Sequence, residues 1–251
     1  MKETDRNFDG IADKFVRNIY GTTKGKLRHL LLLEALKETV TNKEPLQIAD
    51  IGGGSGIMSK AMVEQGHKVT LFDASLDILA LAQDYLKGIP NITIEHASLQ
   101  SVPSYTAFDL IICHAVLEWL ADPLAAISLL YQRMRPGSRL SLSFFNRDAA
   151  LFSNALYGNF DYIAKGMKVK NQVRLNPNNP QKPNDVIEHA RQLGFEVEKM
   201  AGIRCFHDYM KEKPADDAQF NQLVELERLY MFQAPYCYLG KYFYLLLKKP
   251  A

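Results

Sequence analysis

The chain has 251 residues, 47% apolar and 23% charged, the size and balance of one globular domain with room for an insertion. That composition excludes the disordered, collagen-like and disulfide-framework classes. The formal charge of +2, from 30 basic and 28 acidic side chains, is silent about partners when taken whole.

Taken in chain order, the charge is not evenly spread. The opening MKETDRNFDG is polar and carries no apolar signal core, and the longest apolar runs, such as Leu30–Leu33, are far shorter than a membrane span, so a cytoplasmic protein without a membrane partner is expected. Residues 14–33 then hold Lys14, Arg17, Lys24, Lys26 and Arg28 and no Asp or Glu. Residues 1–45 are expected to form an N-terminal helical segment that folds over the site as a lid through Phe8, Phe15 and Tyr20. A buried strand follows at 46–52 (LQIADIG), then a helix at 57–65 stopping at Gly66, a strand at 68–73 (KVTLFD), a helix at 76–87, strands at 91–97 and 108–114, a helix at 123–134 and a strand at 138–146.

Short β-rich runs alternating with amphipathic stretches predict an α/β fold, a doubly wound, mostly parallel sheet with helices on both faces. The Asn/Pro-rich run NPNNPQKP (176–183) interrupts the pattern, which makes 147–183 an insertion. Its stretch from 162 to 184 has Lys165, Lys168, Lys170, Arg174 and Lys182 and no carboxylate. A helix at 184–193, a strand at 195–206, a helix around 216–232 and a strand at 241–249 complete a single domain. The two basic blocks carry +10 between them, so the rest of the chain is net acidic. Concentrated cations on an acidic body are how a protein meets phosphates. The three cysteines, Cys113, Cys205 and Cys237, are odd in number and lack C-x-x-C spacing, so reduced thiols and no thiolate metal site are expected.

Asp50-Ile51-Gly52-Gly53-Gly54-Ser55-Gly56 joins the first strand to a helix, where glycines permit a tight turn and the close approach of a ligand, and the helix presents unsatisfied N–H groups. Asp73 ends the next strand, 21 residues after Gly52, where a carboxylate accepts the hydroxyls of an adenosine ribose. The glycine spacing is G-x-G-x-G, and Ile57 stands where a dinucleotide fingerprint needs its third glycine. An adenosine-bearing cofactor is expected.

The pattern D-x-G-G-G-x-G, the strand ending in an acid, and FDLIICHAVLEWL followed by MRPGS resemble the class I S-adenosylmethionine-dependent methyltransferases over about 46–146. The resemblance implies a seven-stranded sheet whose last strand is antiparallel. DRNFDGIADKFVRNIYGTTKGKLR (5–28), HAVLEWLADP (114–123), YGNFDYIAKGM (157–167) and GIRCFHDYM (202–210) resemble, more narrowly, the tRNA 5-carboxymethoxyuridine methyltransferase family.

This resemblance implies S-adenosyl-L-methionine as cofactor, held by Arg28, Gly52, Gly53, Asp73, Leu99, Gln100 and His114. It implies a tRNA anticodon stem-loop as partner, gripped by the basic blocks through Lys165, Lys168, Lys170 and Arg174, which makes 147–183 a substrate-binding insertion. The implied reaction esterifies the carboxyl of 5-carboxymethoxyuridine at wobble position 34 to 5-methoxycarbonylmethoxyuridine. A carboxyl acceptor is already ionised at neutral pH, since such groups titrate near about pH 4, and needs no general base. Arg204 and Tyr209 are the candidates to orient it. A hydroxyl acceptor would need a base, for which His114, Glu118, His207 and Asp208 are the nominal choices. A small-molecule methyltransferase and a non-catalytic cofactor-binding tRNA module are the alternative readings. Trp119 and Tyr157, Phe160 and Tyr162 serve either as packing or as contacts in the pocket and with splayed bases.

Overall fold

The computed structural model describes residues 5, 9–10, 22–41, 44–167 and 179–251. Phe8, Lys14, Phe15, Arg17, Tyr20, Lys168, Lys170 and Arg174 lie outside the described residues. Helix α1 (Thr23–Val40) is capped by Thr22, whose hydroxyl accepts the Gly25 N–H. β1 (Gln47–Ile51), α2 (Ile57–Glu64), β2 (Lys68–Asp73), α3 (Leu76–Tyr85), β3 (Ile92–His96), β4 (Leu110–His114), α4 (Pro123–Arg133) and β5 (Arg139–Phe145) follow the predicted order, with ends at the predicted limits or one or two residues inside them. After them come α5 (Arg147–Leu156), α6 (Phe160–Ala164), α7 (Pro183–Leu193), β6 (Glu196–Ile203), α8 (Asp217–Tyr230) and β7 (Tyr242–Lys248).

The strands form one seven-stranded sheet in the order β3-β2-β1-β4-β5-β7-β6, with β1 to β5 parallel and β7 antiparallel to both its neighbours. Strand alternation sends Ile48, Leu110 and Ile112 to one face, against Leu36 and Val40 of α1 and Met62 of α2. Ala49, Ile51, Ile111 and Cys113 go to the other face, against Ile127 and Leu130 of α4 and Val186 of α7. Burial of each such aliphatic side chain contributes about 1.5–3 kcal/mol, so the central strands are anchored from both sides. The strand order reverses between β1 and β4, and in an open α/β sheet this switch point is where a ligand crevice opens at the carboxyl ends of the strands.

Two departures from the sequence reading bear on the site. The insertion begins with helices that the sequence reading did not assign: Asn146 caps α5 by accepting from the N–H groups of Asp148 and Ala149, and its amide donates to Tyr238 O and Gly240 O. The chain re-enters beside its own exit, with Gln181 N–H donating to Phe145 O and Arg147 N–H donating to Gln181 O, so the insertion is pinned at the carboxyl end of β5. β6 ends at Ile203, three residues short of the predicted limit, because Arg204 has φ +65° and turns the chain out of the sheet. Buried Glu227 of α8 holds that turn, accepting N–H bonds from Cys205 (2.5 Å), Phe206 (3.0 Å) and His207 (2.9 Å). Among the described residues no helix is long and apolar enough to cross a membrane, and no group of three His, Cys, Asp or Glu could hold a metal.

Candidate active site

A cleft of about 240 Å³ opens over the carboxyl ends of β1, β2 and β4. Its lining includes Arg28, Gly52, Asp73, Leu99, Gln100 and His114, six of the seven residues that the sequence proposes for the cofactor. The seventh, Gly53, backs the loop: a Cβ there would lie 2.7 Å from Leu71 Cγ and 3.0 Å from Asp50 Oδ2. Gly52 has φ +64°, and a Cβ on it would come within 2.5 Å of Val116 Cγ2. Both glycines are therefore demanded by the protein's own packing as well as by any ligand.

The acidic side chains of this wall have separate duties. Asp50 is buried behind the loop and accepts the Ser59 hydroxyl at 2.6 Å, tying β1 to α2; burial raises its pKa to about 6 against the opposing hydrogen bond from Ser59. Asp73 accepts the Gly54 N–H on Oδ2 (3.0 Å) and the Ser75 N–H on Oδ1 (2.9 Å), which fixes its carboxylate at the cleft and leaves lone pairs for a diol. Burial raises the Asp73 pKa, opposed by its backbone N–H donors. Leu99 is buried, and its carbonyl accepts the Tyr105 hydroxyl at 3.0 Å, so the apolar floor beyond Asp73 is held from beneath.

Two buried acceptors in the cleft have no partner among the described residues: His114 Nδ1 and Glu118 Oε1. The ring nitrogen His114 Nε2 lies 2.8 Å from Ser141 Oγ, which donates in turn to the Tyr244 hydroxyl at 3.1 Å. That chain assigns the proton to Nε2 and leaves Nδ1 with a free lone pair. Burial, then the charges of Arg28 and His29, push the His114 pKa down to about 3, so the ring is neutral. Burial pushes Glu118 up to about 7, with Phe145 N–H and Arg28 working against it.

At the end of the cleft nearest β7 the charge is positive. Tyr242 has two guanidinium groups near its ring, Arg28 at 5.4 Å and Arg204 at 5.6 Å from the centroid; Arg28 and Tyr242 line the cleft, whereas Arg204, Tyr209 and Lys241 stand behind that lining. Arg204 is 6% exposed and committed to Asp208 through Nε–Oδ2 (2.8 Å) and Nη2–Oδ1 (3.0 Å), and it also donates to Lys24 O. Burial alone would raise Asp208; its bond to His207 and the charge of Arg204 outweigh this and hold it low. Tyr209 donates its hydroxyl to Leu239 O at 2.7 Å. Lys241 was not singled out from the sequence. It directly precedes β7, its Nζ lies 4.8 Å from the Phe145 ring centroid, and burial lowers its pKa, with Asp208 raising it and Arg204 lowering it. Among the described residues no carboxylate lies within ion-pair distance of Lys241.

The remaining histidines work inside the fold or at its rim: His67 bridges Leu46 N–H and Val40 O, His189 contacts Ser128 and Leu124 O, and His96 contacts Ala74 O. On the insertion, Leu156, Tyr157 and Phe160 are exposed by 59%, 65% and 68%, next to exposed Lys165.

A seven-stranded sheet with its last strand antiparallel, a glycine loop after β1 and a ribose-type acid at the end of β2 define a class I S-adenosylmethionine-dependent methyltransferase. The methyltransferase domain family matches residues 22–199. Among solved structures, an S-adenosylmethionine-dependent methyltransferase from Mesorhizobium loti is 18% identical with a TM-score of 0.59, covering 91% of this chain and 99% of that one. The magnesium protoporphyrin IX methyltransferase of Synechocystis PCC 6803 with bound SAH is 20% identical with a TM-score of 0.58, covering 77% and 88%. A tRNA 5-carboxymethoxyuridine methyltransferase from Escherichia coli O157:H7 is 41% identical over 98% of this chain and 97% of its own length. The chain belongs to the tRNA 5-carboxymethoxyuridine methyltransferase family.

Proposed function

We propose that this S-adenosylmethionine-dependent enzyme esterifies the carboxyl group of 5-carboxymethoxyuridine at the wobble position of tRNA, in the cytoplasm, and that it takes the anticodon stem-loop as its ligand. The observation that carries this reading is the cation group beside Tyr242, at the end of the cleft nearest β7. Asp208 pairs with Arg204 and acts on Lys241, which also feels the charges of Arg204 and Lys24, and Arg28 and Arg204 lie 5.4 Å and 5.6 Å from the Tyr242 ring centroid. Like charges held close together at buried and half-buried positions, as for Arg204 and Lys241, are costly to one another, and an incoming carboxylate relieves that cost.

The cofactor chemistry fits the residues present. Asp73 is fixed to accept the ribose hydroxyls, Arg28 suits the methionine carboxylate, and the orphaned Nδ1 of His114 and Oε1 of Glu118 are acceptors for the methionine ammonium. S-adenosylmethionine supplies an electrophilic methyl on its sulfonium. The chain's own work is to hold a carboxylate oxygen in line with that methyl at about 3–3.5 Å and to exclude water. Lys241 is the proposed direct partner of the substrate carboxylate; Arg204, its guanidinium bound to Asp208, contributes charge from behind, and Tyr209 braces the turn against Leu239. A carboxylate acceptor is already ionised at neutral pH, so no proton need be removed.

Residues 147–183 are proposed as the substrate-binding insertion and 1–45 as the cofactor-side lid. Single-stranded RNA bases stack on aromatic side chains, which the exposed Tyr157 and Phe160 offer beside Lys165. Removal of Lys165, Lys168 and Lys170 together is expected to raise KM for tRNA and flatten its salt dependence. The reaction itself is tested by transfer of labelled methyl from S-adenosylmethionine to tRNA lacking the ester. Label released as methanol by mild alkali supports a carboxyl ester; alkali-stable label, or transfer only to small acids, contradicts it.

A further inference from the structure

Ahead of α1, the described residue that reaches the cleft is Asp5, which lines it together with Leu99, Gln100 and Leu120. Its Oδ2 accepts the Gln100 side-chain amide at 2.8 Å and its Oδ1 accepts the Ala121 N–H at 2.8 Å, so the carboxylate bridges the two rims. Gln100 is braced from the other side, its carbonyl accepting Arg133 Nη1 at 2.8 Å. Asp73 marks the ribose at the end of β2, and the apolar floor of Ile78, Ala97 and Leu99 continues from there toward β3. A purine on that floor presents its outer edge to Asp5 and Gln100.

These two side chains form an ordered pair of opposite polarity. The Gln100 amide has a second N–H beyond the one given to Asp5, and each Asp5 oxygen keeps a lone pair beyond the bond it already accepts. Adenine carries the complement on one edge: a ring nitrogen that accepts and an exocyclic amine that donates. Hypoxanthine reverses both. We propose that Asp5 is a cofactor-specificity residue, accepting the adenine 6-amino group while Gln100 donates to the neighbouring ring nitrogen. This assignment rests on S-adenosylmethionine being the cofactor. The N-terminal segment thereby contributes a residue that reads the base.

The test is calorimetric binding of S-adenosylhomocysteine and its deaminated analogue, S-inosylhomocysteine, to the full chain. The wild type should favour the adenosyl compound by about 10- to 100-fold, the range of one charge-assisted hydrogen bond with an unpaired alternative. Asp5→Asn, whose amide can donate to the hypoxanthine oxygen, should weaken adenosyl binding and shrink the preference to a few-fold. Asp9→Asn is the control: Asp9 accepts the Ser75 hydroxyl at 2.6 Å and does not line the cleft, so both ligands should weaken together with their ratio unchanged. A preference that survives Asp5→Asn, or that Asp9→Asn lowers equally, overturns the base-reading role. Failure of the wild type to bind either compound would instead overturn the cofactor assignment beneath it.

Discussion

On the cofactor side of the cleft, Gly52, Asp73, Leu99 and His114 arrive from the ends of successive strands in one continuous stretch of chain. On the proposed acceptor side, behind Tyr242, Arg204 comes from the turn after β6 and Lys241 from the residue before β7, while Arg28 of α1 belongs with the cofactor residues. The first wall is neutral or acidic and braced by hydrogen bonds: Asp73 is held by the N–H groups of Gly54 and Ser75, and His114 is held through Ser141 and Tyr244. The second wall is cationic and left short of counter-charge. A wall built from one chain stretch can serve many acceptors with one cofactor, whereas a wall assembled from distant segments is where acceptor chemistry is set.

The largest effect should come from the cofactor wall. Asp73→Ala removes both the ribose acceptor and the anchor of Gly54 and Ser75, and should weaken S-adenosylmethionine binding by about 100-fold or more by calorimetry. Lys241→Ala should leave cofactor affinity intact and raise KM for modified tRNA by about 10- to 100-fold, with Lys241→Arg restoring most of it, as expected for a charged hydrogen bond. If Lys241→Ala instead weakened the cofactor and spared KM, the division into two walls would be wrong.

Glu118 sits where the walls meet and sharpens the contrast through pH. Its folded pKa of about 7 lies above the ordinary 4.5, so the native state holds a proton that the unfolded chain has released, and stability falls as pH rises between those values. Buried Asp50, raised to about 6, acts in the same direction. Glu118→Gln should therefore be more stable than the wild type above pH 7, by on the order of 1–3 kcal/mol, with the gap closing near pH 5. Parallel melting curves across that range would refute the assignment. The smallest effect belongs to the insertion: Phe160→Ala, at an exposed position, should leave Tm unchanged and raise KM for tRNA several-fold, in line with about 1 kcal/mol or more for a lost stacking contact.

The same contrast explains what could be read from sequence. Gly52, Asp73 and His114 were legible because each ends or follows a strand whose β-rich run announces it, and sheet order then brings them together. Lys241 was not, because nothing in GKYFYLLLKK distinguishes it from Lys248 and Lys249; only the antiparallel register of β7 with β5, Phe145 opposite Tyr242, puts it at the acceptor end. Arg204 was legible through its motif, but its commitment to Asp208 depends on the left-handed turn that ends β6, which the run FEVEKMAGIRCF conceals. The helices α5 and α6 were obscured by the Gly158-Asn159 break between them and by the Asn/Pro-rich run behind.

The central claim is that the acceptor wall delivers a carboxylate of a tRNA nucleoside to the methyl group. Its most direct test is mass spectrometry of nucleosides from ester-free tRNA incubated with the enzyme and S-adenosylmethionine. The account predicts that 5-carboxymethoxyuridine gains the mass of one CH₂ and that no other nucleoside changes. An unmodified 5-carboxymethoxyuridine, or a gain on a different nucleoside, would contradict it.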